Sequence, residues 1–588
     1  MNLKSFSLVF GLALGGLVAC SQVPIQTTMT TPEPVSSWGP VLETTHRLRD
    51  DLISAGLGIE GLRSPVAPEI ADANAPTAKE LRRRAIWSNW RGIADLRPGG
   101  GAGDVLPRVG GREFSTLATL PGARQPHRVL MQLPDSFNPA RPCLVLAPAS
   151  GSRGVYGAIA VAAPWALSRG CAVVYTDKGA GTDYVDLAVA NRTGLDGRPA
   201  SGNAVAGFTP ETTATEGVAF KHAHSLDNPE ADWGRHVRQA AEFGLAMLDR
   251  AFPDRAPYTA DATRIIAVGI SNGGGAVLRA AEADDGLLDA VVAGEPNIWV
   301  DEPGARPLYD YGTLAARLMP CALLAVEDWP VPPMPDGLRA LGEQRCASLA
   351  ARGELSGATV VEQAADALAQ LKAAGFDDQA LHSGVTTTGF DLWRAVGAAY
   401  ASAYGRFPAG AHPCGFAYRL LDEQGQARDS TAAEQALWWP DASGIPPGNG
   451  IALVDPQRQG VDPDLAGLDC LRELWTGDSE AAQRVRAGVA ETRAELPRAD
   501  LPVVVVHGRA DGLIPVAFSS APYVAKAQAA GRPVAYWLVP EAQHFDAFLA
   551  LPDYGKRYQP LLPTVRIALD AVWAHLEDPT SPIPPTLP

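Results

Sequence analysis

Three residues of this chain have the types and the order that acyl transfer through a nucleophilic side chain needs: Ser271, Asp511 and His544. A serine hydroxyl is a weak nucleophile. It needs a base to take its proton, and the base needs an acid to fix its tautomer. Ser271 lies in Gly269-Ile270-Ser271-Asn272-Gly273, a G-x-S-x-G pentapeptide. In a chain with 59 glycines the pentapeptide alone carries little, so its context decides. The apolar run Ile265 to Val268 leads in, and a helix-like segment, Ala276 to Ala283, leads out. Strand, sharp turn and helix together present a serine Oγ beside the backbone N–H groups of a helix start. Side chains at 269 or 273 would collide with the backbone passing close by.

Asp511 closes His507-Gly508-Arg509-Ala510-Asp511, directly after the valine-rich run Leu501 to Val506. His544 follows the run Val534 to Val539 in the same way. Loops at the carboxyl ends of parallel strands are where such sheets bind ligands. His544 is therefore read as general base and acid, and Asp511 as its orienting carboxylate. Asp546 competes for that role, but two residues past the histidine is poor spacing. The tetrahedral oxyanion needs two backbone donors. One is expected from Asn272 and the other from the loop Ser150-Gly151-Ser152. Arg153, next in that loop, is either a partner for a substrate carboxylate or an ordinary exposed arginine. Lys221-His222-Ala223-His224 has two histidines at i, i+2 without a third ligand, so a structural or positioning role is expected. With no C-x-x-C and no H-E-x-x-H, neither a metal nor another cofactor is expected.

The elements that must place these residues read as an α/β chain. Glu113 to Leu120 and His127 to Leu133 look like an antiparallel sheet edge. From Cys143 onward, unbroken apolar runs alternate with helical patterns, the mark of a parallel sheet covered on both faces. At 588 residues the chain exceeds one ordinary domain. The expected division is a core in two parts, 46–300 with an N-terminal extension and 499–588, interrupted by a mainly helical inserted cap at 301–498. Helices are expected near 312–326, 335–352, 360–374, 391–406 and 479–496, with a loop-rich segment over 408–475. Trp438, Trp439 and Trp475 either line a substrate cleft or belong to the cap's own core. A net charge of −16, with no basic patch, excludes a nucleic-acid partner.

Residues 1–19 have the form of a signal peptide: Lys4, the apolar run Phe6 to Val18, then small residues before Cys20. Leu17-Val18-Ala19-Cys20 also has the form of a lipoprotein box, with Cys20 as the lipidated residue. Export to the outside or the periplasm is expected, with membrane contact only through that lipid. Residues 20–45, rich in Thr, Pro and Ser, are expected to be a flexible tether. The other six cysteines, 143, 171, 321, 346, 414 and 470, permit up to three disulfides in an exported chain.

Several segments resemble the 3-hydroxybutyrate oligomer hydrolases: SGSRGVYGAI (150–159), VVYTDKGAGT (173–182), FKHAHSLDNPE (220–230), VGISNGGGAVLRAAE (268–282), HPCGFAY (412–418) and HGRADGLIP (507–515). The resemblance spans the mature chain and includes segments outside the generic triad. It implies an α/β-hydrolase fold and a small-molecule substrate. The reaction it implies is hydrolysis of 3-hydroxybutyrate oligomers to monomer in polyhydroxybutyrate degradation, through an acyl-enzyme on Ser271. The alternative is a tannase or feruloyl esterase acting on aromatic esters. That family joins cysteines placed immediately before the serine and the histidine, where this chain has Ile270 and Gln543. A hydrolase fold without activity, used for binding, is the third reading.

Overall fold

A computed structural model describes residues 37–588, except 201–204, 284, 328–333, 442, 444, 446–447 and 449. Its centre is a nine-stranded sheet. The strands are β1 (Leu42–His46), β2 (Gly111–Ala118), β3 (His127–Pro134), β4 (Cys143–Pro148), β5 (Ala172–Thr176), β6 (Arg264–Ile270), β7 (Ala290–Gly294), β8 (Val503–Gly508) and β9 (Val534–Val539). Their spatial order is β1-β2-β3-β5-β4-β6-β7-β8-β9. The first three strands pair antiparallel, and β3 joins β5 antiparallel. From β5 to β9 every neighbour is parallel. This is the α/β-hydrolase arrangement.

The unbroken apolar runs follow from burial on both faces. Val145, Val173, Ile266, Val268, Val504 and Val506 point into one apolar core. Their immediate neighbours Leu144, Val174, Ile265, Ala267, Val503 and Val505 point into another. Helices α1 (Ala78–Ile93) and α5 (Leu562–Glu577) pack on the first face; α2 (Pro229–Ala251) and α3 (Asn272–Ala280) pack on the second. Thr77 caps α1 with a reciprocal Glu80 bond, as the spacing Thr-x-x-Glu expects.

Between β7 and β8 the chain leaves the sheet for helices Leu308–Ala322, Asp336–Ala351, Val360–Ala373, Asp378–Gly389, α4 (Leu392–Gly405), Ala432–Trp438, Leu465–Thr476 and Glu480–Ala490. They enclose a core of their own, to which Tyr184, Val218 and Phe220 contribute from before β6, and Phe518 from after β8. The stretch 408–475 is loop-rich, as expected, but it also carries regular structure: Ala417–Leu421, Ala427–Arg428 and Ile451–Val454 form a three-stranded sheet, and helices Ala432–Trp438 and most of Leu465–Thr476 lie within it. Helix Asp378–Gly389 was not expected. Its sequence, DQALHSGVTTTG, is poor in strong helix formers, but Asp377 caps it and Thr387 Oγ1 donates to Gly512 O at 2.9 Å.

The expected tether, 20–45, does not hold at its C-terminal end. Its last residues are an edge strand: Leu42 to His46 pair with Ser115 to Gly111, and Gly39 N–H donates to Leu117 O. β-Branched Thr44 and Thr45 suit a half-exposed strand better than a flexible linker. The expected signal peptide, residues 1–19, and Cys20 lie outside the described residues. Disulfides join Cys143 to Cys171, Cys321 to Cys346 and Cys414 to Cys470.

Candidate active site

β6 ends at Ile270 and α3 begins at Asn272, so Ser271 alone makes the turn. Its φ of 58° and ψ of −129° lie where a non-glycine residue costs about 1–3 kcal/mol. Three backbone bonds hold it there. Ser271 N–H donates to Gly294 O at 3.0 Å, while Ser271 O accepts from Gly275 N at 3.1 Å and Asn297 N at 3.0 Å. The flanking glycines are needed for the reason the sequence suggested. A Cβ on Gly269 would sit 2.3 Å from Gly273 O, and one on Gly273 would sit 2.5 Å from Pro148 O.

The structure brings the three separated residues together. Ser271 Oγ lies 2.9 Å from His544 Nε2, and His544 Nδ1 lies 2.7 Å from Asp511 Oδ2. All three are buried. With Nδ1–H donating to the carboxylate, Nε2 is left to accept the serine proton. Asp511 Oδ1 accepts from Leu513 N at 2.9 Å and Ile514 N at 2.7 Å. Burial pushes the Asp511 carboxyl up, but the charge of His544 and the bonds from His507 and His544 outweigh it and hold the group well below the usual carboxylate range. Asp511 therefore stays ionised. The competing acid, Asp546, points elsewhere: its oxygens accept from Leu561 N at 2.6 Å and Leu562 N at 3.0 Å.

Two groups near the triad were missed in the sequence. His507 sets Nε2 3.3 Å from Asp511 Oδ2. Its position in HGRAD, four residues before the acid, was the available signal. Glu295 follows β7 with a φ of 29° and is buried. Burial, then the charges of Asp511 and Asp546, push its pKa well above the ordinary carboxyl value.

A cavity of about 290 Å³ opens on Ser271. Gly151 and Ser152 form part of its wall with Asn272, so the expected oxyanion loop faces the nucleophile. Ser150 lies behind that wall, almost fully buried. The N–H of Asn272 opens α3 and has no intrahelical acceptor. Leu308, Phe390, Leu392, Val396, Leu513 and Phe548 make the wall apolar. Arg153 is the single charged side chain among the described residues lining it. It is half-buried, not an exposed loop arginine, and the loss of water around it brings its pKa down to about 10, so it remains a cation at neutral pH.

The tryptophans do not line this cavity. Trp438 is 1% exposed in the core between β7 and β8 and packs on Tyr184; Trp475 packs against the same core. Trp439 packs edge-on to Tyr156, and the cavity it borders holds His46, Arg82 and Glu113 instead. Aromatic rings of that size contribute most where they are fully removed from water, which is the core. Lys221 to His224 form a short helix, with His222 bound to Glu230. No group of metal-ligating side chains occurs among the described residues.

A family model described as 3HB-oligomer hydrolase matches residues 19–587. A D-(-)-3-hydroxybutyrate oligomer hydrolase of Paraburkholderia xenovorans is 38% identical over 94% of this chain and 88% of its own length. Its namesake in Burkholderia pseudomallei is 38% identical over 91% of this chain and 86% of its own length. Among solved structures, the rice cell wall degrading esterase from Xanthomonas oryzae aligns at 13% identity and a TM-score of 0.36, over 79% of this chain and 90% of its own.

Proposed function

The chain belongs to the 3HB-oligomer hydrolase family, a family of carboxylic ester hydrolases, and on that premise we propose that it is an exported serine esterase cutting short 3-hydroxybutyrate oligomers to monomer through an acyl-enzyme on Ser271. The observation that carries this reading is His544, bonded to Ser271 and Asp511 at the floor of a largely apolar cavity with one cation in its wall. Such an oligomer is a chain of methyl-branched ester units ending in one carboxylate. The apolar wall suits the chain, and Arg153 suits the carboxylate.

Ser271 Oγ attacks the ester carbonyl carbon as its proton passes to His544 Nε2. Asp511 stabilises the imidazolium without taking the proton. The oxyanion is held by the N–H of Asn272 and a donor of the Gly151–Ser152 turn. Collapse breaks the ester C–O bond, and His544 returns its proton to the departing alkoxide, releasing a hydroxyl-ended unit. Water then attacks the acyl-Ser271 carbonyl, again losing a proton to His544, and Ser271 is regenerated.

Export rests on the sequence of residues 1–19, with lipidation at Cys20, and is supported by the three disulfides, which persist in oxidising compartments. Mass spectrometry of the mature N-terminus tests both: it should begin at a diacylglyceryl Cys20, and an unmodified terminus would contradict lipidation. For the substrate, purified enzyme should release monomer from 3-hydroxybutyrate dimer and trimer. Turnover of feruloyl or galloyl esters without turnover of these would favour the aromatic-ester alternative.

A further inference from the structure

Behind Ser271 lies a buried polar cluster that the reaction above does not use. Glu230, in the first turn of α2, is its hub. Glu230 Oε2 accepts from Asn272 Nδ2 at 2.6 Å. Glu230 Oε1 accepts from His222 Nε2 at 2.7 Å and also from Lys178 Nζ. Lys178 Nζ donates to Tyr400 Oη at 3.0 Å, and Tyr400 Oη lies 3.5 Å from Asn272 Oδ1. Tyr400, on α4, lines the Ser271 cavity. His222 Nδ1 is buried without a hydrogen-bond partner, which fits a neutral ring carrying its proton on Nε2. Burial and the nearby Lys178 charge both disfavour the imidazolium.

Asn272 is held from the opposite side as well. A Cβ on Gly151 would lie 2.4 Å from Asn272 Oδ1, so the amide packs directly on the backbone of the oxyanion loop. One side chain thus touches both the start of α3 and the loop across from it. A buried ion pair is a weak source of stability, so the placement of Lys178 and Glu230 against Asn272 calls for another account.

We propose that Glu230 is a positioning residue for the oxyanion hole: it clamps the Asn272 amide against Gly151, fixing the spacing of the two backbone donors. Lys178 and His222 hold Glu230 in turn, and Tyr400 ties the clamp to a helix of the substrate cavity. The inference rests on Ser271 being the nucleophile.

The test uses full-length Glu230→Gln, Asn272→Ala and the double variant. It measures kcat and KM on 3-hydroxybutyrate dimer, and inhibition by a phenylboronic acid, which forms a tetrahedral adduct on a serine Oγ. Each single variant should lower kcat by about tenfold or more, since a fully lost donor costs about 10²–10³. Boronate binding should weaken in parallel, KM should change little, and the double variant should be no worse than the weaker single. Should Glu230→Gln fail to fold, Lys178→Met/Glu230→Gln, which removes both charges together, replaces it with the same expectations. Unchanged kcat in a folded Glu230 variant, or losses that multiply in the double, would overturn the proposal. Ser271→Ala separates the two readings: if it stays active the nucleophile is wrong, whereas an inactive Ser271→Ala beside a fully active Glu230→Gln sinks only the clamp.

Discussion

His507 and Asp511 are hydrogen-bonded, Nε2 to Oδ2 at 3.3 Å, on the carboxylate oxygen that His544 also uses. His507 Nε2 is also 3.0 Å from Ile514 O, which only accepts, so Nε2 carries the proton. Nδ1 then accepts from Ser520 Oγ at 2.6 Å, and Ser520 accepts from the Tyr536 hydroxyl at 2.8 Å. The chain of donors runs one way and ends on the triad acid. His507→Leu is expected to lower kcat by about tenfold with little change in KM, because Asp511 loses one of its charge-assisted bonds. Tyr536→Phe, two bonds further out, should lose much less. Steady-state kinetics on the dimer checks both, and an equal loss in the two variants would count against the directional chain.

Asp511 and Asp546 should separate cleanly on mutation. Asp511→Asn presents an amide to His544 and favours the wrong tautomer, a change worth about 10⁴ in kcat where it has been measured in serine proteases. Asp546→Asn should leave kcat within a few-fold, because its oxygens are engaged by the Leu561 and Leu562 amides.

Asp546 should show instead in stability. Burial pushes its pKa up to about 7, against the bonds from Leu561 and Leu562. The native state then holds a proton that the unfolded chain releases near pH 4. Stability is therefore full below about pH 4 and falls as pH rises toward 7, with a slope of up to about 1.4 kcal/mol per pH unit for one group. Asp177, pushed up to about 6, and Glu282, pushed up to about 7, act in the same direction. Thermal melts at pH 4.5 and 8 should show a drop that is smaller in Asp546→Asn than in the wild type.

Arg153 gives the substrate test its sharpest form. Arg153→Met should raise KM for the free-acid dimer by about tenfold or more, the scale of a charge-assisted bond. The same variant should process the methyl ester of that dimer about as well as the wild type does. Equal losses on both substrates would assign Arg153 to folding and not to the carboxylate.

The disulfide Cys414–Cys470 closes the longest loop, at a separation of 56 residues. Replacing both cysteines with alanine should cost about 4 kcal/mol on the chain-entropy account. Non-reducing peptide mapping should recover this pair with Cys143–Cys171 and Cys321–Cys346.

What was legible in the sequence was what local chemistry dictates. Parallel strands buried on both faces write themselves as apolar runs, so β4 to β9 stood out. The glycines around Ser271 mark a turn that no other residue permits, and chain order selected Asp511 and His544. The Glu230–Asn272 bond was not legible: it joins residues 42 apart on two helices that meet only after the sheet has formed. Nor was the fate of Trp438, because a tryptophan reads the same in a core and in a cleft. The strand at 42–46 was hidden by the Thr- and Pro-rich composition before it, although its pairing with β2 overrides composition.

The most direct test of the central claim is trapping on Ser271. Wild-type enzyme given an activated 3-hydroxybutyryl ester and quenched early should carry one acyl group on the peptide containing Ser271, and Ser271→Ala, folded with the same thermal melt, should carry none and release no monomer from the dimer. An acyl group on another residue, or monomer release by folded Ser271→Ala, would contradict the account.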